Sequence, residues 1–142
     1  MEIAERQGTV NGLSFTWLEA GATDAPLALC QHGFPDTPWG WRWLLPKLAE
    51  AGFHAVAPYA RGYAPTEVPD SGISALAGWV ADLVAFHEEL GGGQPGVTVG
   101  HDWGSMAAYG ASAFAPERWR KVVIASVPPR RSWPAACRAT SS

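Results

Sequence analysis

Apolar residues recur along this chain in two rhythms, short runs with a period of two and longer stretches with a period of three to four. Val10-Asn11-Gly12-Leu13 sets Asn-Gly between two alternating stretches. Both turn residues tolerate positive φ, so a β-hairpin is predicted there. Leu13, Phe15 and Trp17 share one face of the outgoing strand, and Leu27 to Cys30 forms a short apolar run that enters a loop at His32-Gly33. From Trp39 to Ala51, apolar residues at 41, 44, 45 and 48 return at helical spacing, with Gly52 placed to cap the end. Phe53 to Ala57 predicts another strand, closed by Pro58, and the stretch from Tyr59 to Gly72 a loop. Leu76, Val80, Leu83, Val84 and His87 describe one helical face that ends at Gly91-Gly92-Gly93. Val97 to Val99 then predicts a strand, Trp103 to Ala115 a helix stopped by Pro116, and Lys121 to Val127 a strand closed by Pro128-Pro129.

The expected order is a β-hairpin followed by β-α-β-α-β-α-β. Short apolar strands alternating with helices specify a mostly parallel sheet covered on both faces, the α/β class. Ligands of such sheets bind outside the carboxyl ends of the strands. That directs attention to the loops after Cys30 and after Val99. Residues 1–129 read as one domain, while residues 130–142 show neither periodicity and read as an irregular tail not native to the fold.

Composition changes this picture little. With 142 residues, 47% apolar and 16% charged, the chain is ordinary globular material. No apolar run reaches the roughly 18 residues of a membrane span, and the start MEIAERQG carries no signal-peptide core, so no membrane partner is expected. Cys30 and Cys137 do not form a disulfide framework, which predicts reduced thiols and a cytoplasmic protein. Six of the ten basic residues (Arg118, Arg120, Lys121, Arg130, Arg131 and Arg138) follow Glu117, but they are scattered around a predicted strand. With a formal net charge of −3, a solvated surface explains them better than a nucleic-acid partner. No cofactor and no metal are expected.

Chemistry concentrates in Gly100-His101-Asp102-Trp103-Gly104, which fits small-x-nucleophile-x-small between a strand and a helix, the nucleophile elbow. The alternative is that Asp102 only caps the helix. Gln31-His32-Gly33-Phe34-Pro35 follows the earlier strand, at the place where an oxyanion-hole amide is supplied in folds with such an elbow. With Arg61-Gly62-Tyr63 added, these motifs make the chain resemble the epoxide hydrolase and haloalkane dehalogenase branch of the α/β-hydrolases, from about Val10 to Pro129.

The resemblance implies Asp102 as nucleophile and the backbone N–H groups of Phe34 and Trp103 as the oxyanion hole. It implies His32, Gly33, Pro35, Gly100, His101 and Gly104 as residues that support the two motifs, and a structural salt bridge or hydrogen bond from Arg61. An aspartate is ionised at neutral pH and needs no base for its first attack. Its attack on an ester carbonyl would give an energetic anhydride, whereas attack on an sp3 carbon bearing a strained oxygen or a halide gives a stable alkyl ester. Ser105 lies three positions past the elbow centre, inside the helix. Trp39, Trp41 and Trp43 fit either an aromatic pocket or simple burial. His54 and His87 read as structural.

The family's triad runs nucleophile, acid, histidine, and its epoxide hydrolases add tyrosines from a helical cap after the sixth strand. Beyond Asp102 this chain has no His, no Asp and one acid, Glu117, behind a helix stop. The expectation is the front part of a hydrolase fold, without cap and C-terminal strands, produced by truncation or a frame change: a turnover-deficient form of an epoxide hydrolase-like enzyme. The expected substrate is a small apolar epoxide or haloalkane-type molecule. Phe34 offers no donor to a halide, which favours the epoxide. Two other readings stand beside it, a haloalkane dehalogenase-like enzyme and a non-catalytic α/β module that binds a ligand or partner. The apolar strand Lys121–Val127 would form an exposed sheet edge prone to self-association.

Overall fold

The structure, a computed structural model, describes residues 1–70 and 75–126. Six strands, β1 (Ala4–Val10), β2 (Leu13–Ala20), β3 (Leu27–Gln31), β4 (His54–Pro58), β5 (Gly96–His101) and β6 (Trp119–Ala125), form one sheet. Three α-helices accompany them, α1 (Leu44–Glu50), α2 (Leu76–Leu90) and α3 (Trp103–Phe114). The strands lie in the order β1-β2-β4-β3-β5-β6; β1 and β2 run antiparallel and β4, β3, β5 and β6 parallel.

Turn chemistry fixes the hairpin. Asn11 at φ 49° and Gly12 at φ 76° make a two-residue loop between the paired residues Val10 and Leu13. Those angles are the left-handed pair whose twist matches the flanking strands.

Period-two alternation then sorts the core to two sides. Phe15, Trp17, Leu27, Leu29 and Val56 meet α2 and α3 on one face. Leu18, Ala20, Cys30, Ala55, Ala57, Val97 and Val99 meet α1 on the other. Phe86 of α2 anchors the first face, edge-on to Phe15 at 5.1 Å and to Trp17 at 5.7 Å. Burial of the second face pushes the Cys30 thiol up to about 12, so it is an inert core residue. Among the described residues, no helix is long and apolar enough to cross a membrane.

The predicted helix from Trp39 to Ala51 divides in two. Pro38–Trp41 is a 3-10 turn, and α1 begins only at Leu44. Thr37 accepts from the Trp39 N–H and Pro38 follows it, which starts the first turn. Pro46 then falls in the first turn of α1, where its missing N–H leaves nothing unpaired. Gly52, at φ 90°, closes α1: its N–H reaches the Ala49 carbonyl and the Phe53 N–H the Leu48 carbonyl, both at 3.0 Å. Strand β6 begins at Trp119, earlier than the predicted Lys121. Val127, Pro128, Pro129 and the tail 130–142 lie outside the described residues.

Candidate active site

The connection from β3 to β4 passes α1 on one face, and the connection from β4 to β5 skips over β3 and passes α2 on the other. The carboxyl ends of β3 and β5 therefore flank the point where the winding reverses, the crevice such sheets use for ligands. Two loops meet there, Gln31 to Pro35 and His101 to Gly104.

Asp102 sits at φ 56°, ψ −121°, outside the regions L-residues favour. It occupies the N-cap position of α3, yet its side chain makes no capping bond. Instead Oδ2 accepts from the Phe34 N–H at 3.0 Å, and the neighbouring Trp103 amide also favours the ionised form of the carboxylate. These two donors, Phe34 first, hold the Asp102 carboxyl below its ordinary range. The group is thus an ionised, partly exposed carboxylate at neutral pH.

Three glycines permit this approach. A side chain at Gly33 would collide with the Asp102 side chain, one at Gly100 with the backbone of Gly104 and Ser105, and one at Gly104 with the carbonyl oxygens of Gln31 and His32. The elbow is also tied to β6: the Asp102 N–H donates to the Ala125 carbonyl at 3.2 Å. The buried Ser105 hydroxyl lies 2.8 Å from the same Ala125 oxygen and 2.9 Å from the Gly100 oxygen. Ser105 is a structural clamp, not a nucleophile.

His32 is fully buried. Its Nε2 lies 3.1 Å from the Ala60 N–H and must accept, so Nδ1 carries the proton and donates to the Gly33 carbonyl at 2.9 Å. The ring packs edge-on to Tyr63 at 5.0 Å. Both ring nitrogens are thereby committed to backbone. Pro35 follows a cis peptide bond from Phe34. His101 is the half-buried last residue of β5.

A cavity of about 360 Å³ beside the carboxylate is lined by Phe34, Arg61, Gly62, Tyr63, Trp79 and Trp103. Trp79 is the lining residue that sequence reasoning passed over, and Tyr63 entered it only as part of the Arg61-Gly62-Tyr63 motif. Trp79 falls one residue before Val80 and is not among the residues (Leu76, Val80, Leu83, Val84 and His87) by which that helix is predicted. The tryptophans 39, 41 and 43 are absent from this lining; Trp39 and Trp43 are exposed, and Trp41 packs beside Leu44 on the α1 face. Arg61 forms the expected structural salt bridge, with Nε 2.6 Å and Nη2 2.7 Å from the two carboxylate oxygens of Asp82. Glu117 precedes β6 at the opposite end of the sheet, exposed and near Arg118. His54 pairs with Glu19 at the start of β4, and His87 bonds the Gln94 carbonyl at the end of α2.

Burial also lowers the pKa values of His32 and His87 from the ordinary 6.5; carbonyl partners oppose that shift at both, and Arg118 adds to it at His87. The unfolded chain therefore binds more protons than the folded one below that value, and stability falls as pH drops through 6.5. The slope is at most about 1.4 kcal/mol per pH unit for each ring. Urea midpoints measured between pH 7.5 and 5.5 check this, and a flat profile would contradict it.

The fold and the site geometry together define a class. Residues 26–140 match the family described as alpha/beta hydrolase fold, and the chain belongs to that family. It stands in the epoxide hydrolase-like branch of the family. The chain is 37% identical over 126 residues to Epoxide hydrolase A of Mycobacterium tuberculosis (strain ATCC 25618 / H37Rv), covering 87% of this chain and 38% of that protein. It is 36% identical over 121 residues to Bifunctional epoxide hydrolase 2 of Sus scrofa, covering 82% of this chain and 21% of that protein. The crystal structure of Epoxide Hydrolase A from Mycobacterium thermoresistibile superimposes with a TM-score of 0.80 at 33% identity, over 91% of this chain and 40% of that chain. The chain thus spans about two fifths or less of the length of these relatives.

Proposed function

We propose that this chain carries the nucleophile and oxyanion site of an epoxide hydrolase-type enzyme, with Asp102 as nucleophile. The observation that carries the reading is the Phe34 backbone N–H hydrogen-bonded at 3.0 Å to a carboxylate at an elbow with positive φ, with the Trp103 amide next to it. An Asp102 oxygen attacks an epoxide carbon; the ring C–O bond breaks, its electron pair goes to the ring oxygen, and water protonates that oxygen. The product is an alkyl ester of Asp102. Water then attacks the ester carbonyl, and the oxyanion that forms there takes the two N–H donors. Collapse expels the vicinal diol and restores the carboxylate. Exposed Phe34 and Trp103 flank the carboxylate with apolar surface, which suits a small apolar epoxide.

A haloalkane would need side-chain donors for the departing halide; Trp103 has one and Phe34 has none. The test is intact mass after incubation with a strained, activated epoxide, followed by peptide mapping. An adduct on the Gly100–Gly104 peptide, lost in Asp102→Asn, supports the reading. No adduct on a folded sample favours a non-catalytic binding module.

We also propose self-association through β6. Among the described residues it is an outer strand of the sheet, with Val123 49% exposed beside the half-buried Val122 and Ile124. Unpaired backbone beside apolar side chains templates further pairing. Sedimentation velocity should show mass rising with concentration, and Val123→Lys should suppress the rise. Identical monomer behaviour of both forms would count against it.

A further inference from the structure

We infer that Arg61 and Asp82 are a positioning pair for the oxyanion hole, acting on the Phe34 N–H through Ala60 and His32. This rests on the proposed role of Asp102.

The pair is bidentate, with Asp82 buried and Arg61 half-buried, and Asp82 accepts a further bond at 3.0 Å from Asn11 Nδ2 in the hairpin turn. It therefore joins three separate elements: the β1–β2 turn, the loop after β4, and α2. Arg61 lies in the loop after β4, next to Ala60, whose N–H donates to His32 Nε2. The His32 Nδ1–H in turn holds the Gly33 carbonyl. That carbonyl precedes the amide that Phe34 presents to Asp102. Each link is a single directed hydrogen bond or one peptide step, and the loop carrying Ala60 is fastened to α2 by Arg61. Tyr63, in the same loop, bonds the Ala60 carbonyl through its N–H at 2.9 Å and lays its ring on His32.

Stability alone is a weak account of the pair. An apolar pair of similar volume commonly holds a fold as well as a buried ion pair does. What an apolar pair lacks is direction: the guanidinium fork fixes where the loop sits. Gly78 on α2 underlines how closely the fork is held, since a Cβ there would lie 2.8 Å from Arg61 Nη1 and 2.9 Å from its Cζ.

The test uses the full chain with two variants, Arg61→Leu/Asp82→Leu and Gly78→Ala. The first keeps the volume apolar; the second presses on the guanidinium while placing a better helix former in α2. Two readouts follow, the rate of epoxide adduct formation at Asp102 and the titration of the Asp102 carboxyl by carbon-13 NMR. The double variant should melt cooperatively near the parent temperature and form adduct on the order of 10²-fold more slowly, as for a displacement of about 1 Å at a reacting group. Its Asp102 carboxyl should titrate closer to the ordinary 3.8 than in the parent. Gly78→Ala should move both readouts the same way by less, and it decides the matter if the double variant does not fold. Parent-like titration in a folded variant overturns the inference. Should the parent form no adduct at all, the proposed function falls while the titration still decides this pair.

Discussion

Mixed with an activated epoxide, the 142-residue chain should gain a single adduct and then stop. Asp102 is held ionised by the Phe34 and Trp103 amides, and in its proposed role it needs no base for the first step. The second step needs water activated beside the ester. Among the described residues, His32 has both nitrogens committed to backbone, and His54 and His87 lie away from the elbow. Glu117 is at the far end of the sheet. General-base help is typically worth 10²–10⁴-fold, so the ester should persist for a correspondingly longer time than in an enzyme that has such a base. A time course of intact mass checks this. Multiple turnover would require a base that none of these four residues supplies, and His101, beside the proposed nucleophile, would be the first residue to substitute.

The second large effect is structural. Gly104→Ala should disable the site, because a Cβ there meets the carbonyl oxygens of Gln31 and His32, both backbone atoms that cannot swing aside. Overpacking of this kind typically destabilises by about 1–3 kcal/mol, or the elbow moves to relieve it. Movement of the elbow separates Asp102 from the Phe34 N–H in the folded chain, whereas destabilisation alone enlarges the unfolded fraction. Urea unfolding combined with adduct yield distinguishes the two: lower stability with retained labelling of the folded fraction would show that the close approach is not needed for chemistry. Gly12→Ala makes a useful contrast. It strains a left-handed position in a turn with open space around it, so it should lower stability without touching the labelling of the folded fraction.

Much of this was written in local pattern. The Asn11-Gly12 turn, the run Leu27–Cys30, the stripe on α2 and the glycines around Asp102 each carry their structure in residues a few positions apart. The elements that departed from expectation are those where local pattern and context compete. Period alone joined Trp39 to Ala51 as one helix, while Thr37-Pro38 started a separate turn before it. The polar flank Arg118-Trp119-Arg120-Lys121 hid the first residues of β6, because an edge strand need not be apolar at its start. The helix-cap reading of Asp102 could be settled only in three dimensions, by where the carboxylate points. Asp82 was illegible as the partner of Arg61 for the same reason: 21 residues and a loop separate them in the chain.

The Ala125 carbonyl, which receives both the Asp102 N–H and the Ser105 hydroxyl, gives the proposed nucleophile a second use. Strand β6 must already be docked for the elbow to be locked in place. Covalent capture at Asp102 would then act as a footprint of the outermost strand. Epoxide added at intervals during refolding would timestamp the arrival of that strand, separately from the spectroscopic signals of the helices.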